Sequence, residues 1–135
     1  LIAAYVSHRN NCMFCRNSHA AAARCLYEEK ASVVDEVFLD MQNAPVSEKL
    51  KALLNIAGKV QISGKAVTAQ DIEAARQLGA GDREIHDTVL IAAAFCMFNR
   101  YVDGLASFTP TNADEYAEMG RRMVEKGYVL PGEPK

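Results

Sequence analysis

An all-α fold is predicted by three features of the sequence. Apolar residues recur at helical spacing along most of the chain. No run of β-branched or aromatic residues alternates long enough to make a strand, and helix-start and helix-stop residues bracket the periodic segments in turn.

Leu1 to His8 reads as the last turns of an apolar helix, stopped by the polar run HRNN. Asn10 or Asn11 is placed to cap a second helix that starts at Cys12 and runs through AAAARCLYEEK, a string of strong helix formers. A short helix is predicted over Ser32 to Met41, ending ahead of Pro45. Ser47 caps a helix from Glu48 to about Val60, with Leu50, Leu53, Leu54 and Ala57 on one stripe. Thr68 and Asp71 have the spacing of a capping box, and Gly79 closes that helix. Gly81 and Asp82 open the longest helix, Arg83 to about Ala106. Its middle is apolar nearly all round, as expected of a helix buried inside the protein or against another subunit. Thr111 or Asn112 starts a final helix that Gly127 ends, and the closing PGEPK is expected to be loose.

At 135 residues the chain has the length of a single domain, 1–135, able to bury a core without disulfides. It opens at Leu1 inside an apolar pattern with no helix-start signal, so further helices are expected upstream. A net charge of -2 and scattered basic residues argue against nucleic-acid binding. No apolar run reaches the roughly 20 residues that span a bilayer, and no basic-then-apolar leader is present, so a cytoplasmic protein without membrane contact is expected.

The chemistry concentrates in CMFCRNSHA. On a helix starting near Cys12, the residues Cys12, Cys15 and His19 stack on one face. The positive end of the helix favours thiolate, most strongly at Cys12, while His19 is placed to take a proton from Cys15 or to stabilise its thiolate. Such a pair reads as a nucleophile and a resolving thiol: a sulfenic acid formed by peroxide condenses with the thiol one turn away. Arg16 after the second cysteine excludes c-type haem attachment, and the lack of a preceding strand argues against a thioredoxin fold. Two other readings stay open at this point. One is a zinc site with a fourth ligand from His8, Cys25, His86 or Cys96; the other is an inert buried pair. His8 reads as facing solvent, His86 as a satisfied histidine, and Arg100 with Asp103 as an ion pair within one helix.

CxxCxxxH at the start of an Ala-rich helix, after LIAAYVS, resembles the core motif of the alkylhydroperoxidase D-like family in the carboxymuconolactone decarboxylase superfamily. LGAGDREIHDTVLIAAAFCMFNRYVDGL resembles the matching region of its peroxidase-related branch. Met13 and Phe14 depart from the best-known members, which carry a histidine between the cysteines. The resemblance implies an all-helical bundle forming homo-oligomers (dimer, trimer or hexamer) and a thiol peroxidase without metal or cofactor. It also implies that Cys15 is the peroxidatic cysteine, Cys12 the resolving cysteine and His19 the proton-relay histidine. The family's relay glutamate would fall just ahead of Leu1, outside this sequence. The expected partners are a peroxide substrate and a dithiol reductant, either a small thiol or a lipoyl or thioredoxin-like carrier. A zinc-binding or structural oligomer and a decarboxylase-like enzyme are the alternatives.

Overall fold

The computed structural model describes residues 1–128, and they form seven α-helices, with two single 3-10 turns and no strand among them. The helices are α1 (Ile2–Arg9), α2 (Met13–Tyr27), α3 (Val33–Asp40), α4 (Glu48–Ile62), α5 (Ala69–Gln77), α6 (Asp82–Gly104) and α7 (Ala113–Lys126). The all-α reading holds; the loose end expected for PGEPK lies outside the described residues.

Short as it is, α1 is the hub, because Ala4, Val6 and Ser7 are fully buried and α2, α3, α4 and α6 all touch it. Leu54, Ile56, Val34 and Val37 complete the best-buried part of the core. Each such side chain stabilises by roughly 1.5–3 kcal/mol relative to exposure. α2 ends earlier than expected. Glu28 takes a positive φ of 50° after Tyr27, and a 3-10 turn over Glu28–Lys30 follows. The reversal brings Val34 back against Ala4, Ala20 and Ala23, contacts that a helix continued through Lys30 would forfeit.

The caps are those the sequence signals. Ser47 Oγ accepts from the Leu50 N–H at 3.2 Å, and Thr68 with Asp71 forms the reciprocal box. Asp71 also binds Lys59 Nζ through both oxygens, at 2.6 and 2.7 Å, tying α5 to α4. Of the two candidates for α7, Asn112 is the cap, accepting from Asp114 N–H at 2.9 Å. Gly127, with φ of 70°, ends the helix.

α7 lies against the alanine run of α2 at unusually close range. A Cβ on Gly120 would sit 2.6 Å from the Ala21 carbonyl carbon and 2.7 Å from the Ala22 nitrogen. α6 is covered along one stripe within this chain. It buries one stripe of Ile85, Thr88, Ala92, Phe95 and Asn99, while Leu90, Met97, Phe98 and Tyr101 stay exposed. Within this chain α4 and α1, with smaller contributions from α2 and α5, supply that cover, so the part of the expectation met by the chain itself is burial of one stripe.

Candidate active site

The site is set by the turn between α1 and α2. Asn11 adopts a left-handed φ of 57°, which asparagine tolerates better than most residues, and Cys12 N–H then reaches back to the Ser7 carbonyl at 3.1 Å. Cys12, in extended conformation, is itself the N-cap of α2. Neither asparagine caps the helix, because Asn10 is drawn into a different network. Its amide donates to Asn99 Oδ1 at 2.8 Å, Asn99 donates to Ser7 Oγ at 2.9 Å, and Gln61 donates to Asn10 Oδ1 at 2.8 Å. Ser7 and Asn99 are buried, so these bonds satisfy groups that would otherwise be costly to enclose. They clamp the cysteine turn to α6 and α4.

Cys12 is fully buried and Cys15 is four per cent exposed. Burial pushes the Cys12 thiol up to about 12, and the adjoining side chains of Cys15 and Asp103 push in the same direction, against the Cys15 backbone N–H. This corrects the expectation of a dipole-activated Cys12: enclosure outweighs the helix terminus. Cys15 stands at the third position of the helix, where it lines a cavity of about 610 Å³ together with His19, Phe14, Ile91, Phe95 and Phe98.

His19 is held from three sides. Nδ1 lies 3.0 Å from the Cys15 carbonyl oxygen, so it carries the proton and donates; Nε2 is then bare and accepts from Tyr128 Oη at 2.9 Å. The Phe95 ring meets the imidazole edge-on with centroids 4.5 Å apart. Burial lowers its pKa from the ordinary value, opposed by the Cys15 carbonyl. The ring is thus a neutral base bound to the Cys15 backbone, where the sequence reading expected contact with the thiol or an imidazolium.

The remaining candidates fall elsewhere. His8 is only partly exposed: it stacks on Phe38 with centroids 4.6 Å apart, and its Nδ1 is buried. His86 is exposed beside Asp87. Cys96 accepts a long contact of 3.6 Å from Asn10, and Cys25 is half-buried on α2. Among the described residues no group of three or more His, Cys, Asp or Glu stands where it could hold a metal ion. Arg100 does not pair with Asp103; it donates to the Cys96 carbonyl at 2.8 Å. Sequence reasoning missed Tyr128 and the Asn10–Asn99 clamp. Asn99 carries one usable signal, a buried-stripe position occupied by an amide, whereas nothing local marks Tyr128.

The chain matches no family model and no curated protein. It is similar to two solved structures, each with a TM-score of 0.76 over 89% of this chain and 61% of the other. One is an uncharacterized peroxidase-related protein from Silicibacter sp. TM1040, at 28% identity. The other is described as an alkylhydroperoxidase AhpD core, an uncharacterized peroxidase-related protein from Ralstonia eutropha JMP134, at 32% identity. The chain therefore spans about three fifths of the length of each.

Proposed function

We propose that this chain, which belongs to the peroxidase-related branch of the alkylhydroperoxidase D-like proteins, reduces hydroperoxides through a dithiol–disulfide cycle at Cys15 and Cys12. The observation that carries the reading is that Cys15, not Cys12, opens onto the apolar cavity, in company with a histidine whose Nε2 is bare. A hydroperoxide enters with its organic part against Phe95 and Phe98. The Cys15 thiolate attacks the terminal peroxide oxygen, the O–O bond breaks, and an alcohol or water leaves with Cys15 as sulfenic acid. Cys12, the nearer of the other thiols, condenses with it to a disulfide and water, and an external dithiol returns both to the thiol state.

His19 is the proton carrier in this cycle. Its hydrogen bonds lead the proton path through Nε2 and Tyr128 and not by direct contact with the Cys15 sulfur. Because burial keeps the imidazole neutral, it accepts the thiol proton without first losing one.

Counting free thiols in the folded protein before and after peroxide tests the proposal. Two of the four thiols should disappear, peptide mapping should join Cys12 to Cys15, and Cys15→Ser should abolish peroxide consumption. Survival of all four thiols would refute it.

A further inference from the structure

The cavity at Cys15 is larger and more apolar than hydrogen peroxide requires. Its volume is about 610 Å³, and Leu90, Ile91, Phe95, Phe98 and Val102 supply one wall. A substrate that uses this surface carries an organic group of matching size.

The space does not end at His19. A second cavity, of about 230 Å³, lies against α7 and shares Phe14, His19 and Tyr128 with the first. Cys15 lines only the first and Arg122 only the second, and with His19 neutral Arg122 is the one charged side chain at either cavity among the described residues. Glu118 and Glu125 stand four residues before and three after it on α7, yet neither pairs with it, nor does any other carboxylate among the described residues. The guanidinium is therefore open to an anion arriving from the cavity. Phe14, Met119 and Met123 line the same space, so such an anion comes with apolar surface attached. A single guanidinium fork matches a carboxylate; a phosphate dianion would lack a second cation here.

Tyr128 stands at the boundary between the two cavities. Its hydroxyl is held by His19 at 2.9 Å while the ring is 76% exposed, so a chain can pass beside it. Cys15 and His19 are four residues apart on α2, about 6 Å along the helix, and Arg122 lies on the far side of His19. An acid of two or three carbons cannot reach both ends.

We propose that the preferred substrates are long-chain carboxylic acids bearing a hydroperoxide, with the carboxylate on Arg122 and the chain running past Tyr128 so that the hydroperoxide meets Cys15. This deepens the peroxidase reading and rests on it. The redox step is the one given above, and the alcohol that leaves is the corresponding hydroxy acid.

Binding and turnover test it separately. The binding probe is cis-parinaric acid, a polyene fatty acid that fluoresces in apolar surroundings, compared with its methyl ester. The acid should bind about ten-fold more tightly than the ester. Arg122→Gln should bring the acid down to the affinity of the ester, and Arg122→Lys should recover part of the difference. Arg121→Gln, beside it but lining neither cavity, should keep the full preference. Phe98→Glu should weaken acid and ester alike, which places the chain in the cavity of Cys15. Arg122, Arg121 and Phe98 are all exposed, so the variants are compatible with folding. In turnover, a fatty-acid hydroperoxide should show a KM about ten-fold below that of its methyl ester at similar kcat, and Arg122→Gln should erase the difference. Equal binding of acid and ester overturns the inference, as does a preference that survives Arg122→Gln or acid binding that Phe98→Glu leaves unchanged. Equal consumption of acid and ester hydroperoxides would remove this substrate class and keep the peroxidase. Arg122-dependent acid binding in a protein that consumes neither would keep the ligand class and remove the peroxidase reading.

Discussion

Gly120 is the point at which α7, and with it the Tyr128 contact to His19, rests on α2. A methyl group there would lie 2.6 Å from the Ala21 carbonyl carbon, 2.7 Å from the Ala22 nitrogen and 2.8 Å from the Ala21 Cβ. Ordinary contact begins near 3.4 Å, so α7 must lift by at least 0.8 Å. The obstructing atoms are mainly backbone and cannot rotate aside. Overpacking of this kind costs about 1–3 kcal/mol, and rigid neighbours put it at the upper end. Alanine's better helix propensity returns up to about 1 kcal/mol. Gly120→Ala should therefore destabilise by about 2 kcal/mol net, lowering Tm by roughly 5–10 °C for a domain of this size. Thermal unfolding followed by far-UV circular dichroism measures this. Gly104→Ala is the control, since nothing lies within 4 Å of the added carbon. The lift should also pull Tyr116 from Phe14 and Tyr128 from His19, seen as loss of the interhelical nuclear Overhauser contacts. A Gly120→Ala variant as stable as the wild type would refute the claim that α7 packs at backbone distance.

The remaining predictions concern titrating groups. Lys59 and then Thr68 hold the Asp71 carboxyl down at about 2, against an ordinary 3.8. A depressed folded pKa gives stability that is present above the unfolded value and lost as pH falls through the folded one. Wild-type Tm should accordingly drop between pH 4 and pH 2, and Asp71→Asn should flatten that part of the curve in acid unfolding scans. Near neutral pH, Asp71→Ala should cost about 1–2 kcal/mol through the lost cap and ion pair. Burial lowers the His19 pKa below 6.5, so its base form persists as pH falls past that value. Peroxide oxidation of Cys15, followed by stopped flow, should hold its rate down to pH 6.5 and decline only below it; a decline already complete by then would contradict the neutral buried imidazole.

Much of the fold was legible because its signals are local. Ser47, the Thr68–Asp71 box and Gly127 act within a turn of where they stand, and each bounds the helix the sequence assigns to it. Elements decided by tertiary contact were less legible. Glu28 has no feature that announces a positive φ; the break in α2 exists because Val34 has to return to the core. α6 shows a further limit, since its composition reports apolar character on every side but not which faces find a partner.

The candidate site divides along the same line. Helical spacing brings Cys12, Cys15 and His19 onto neighbouring turns, and that arithmetic can be done on the sequence. Their chemistry cannot, because it depends on competition between effects of different range. A helix terminus favours thiolate at Cys12 by the order of 1 kcal/mol, whereas full enclosure opposes ionisation by several times as much. Only the clamp through Asn10 and Asn99, residues separated by most of the chain, shows how the turn that carries Cys12 is enclosed. Arg100, the obvious partner of Asp103 from i, i+3 spacing, turns to the Cys96 carbonyl and leaves that carboxylate unneutralised by it.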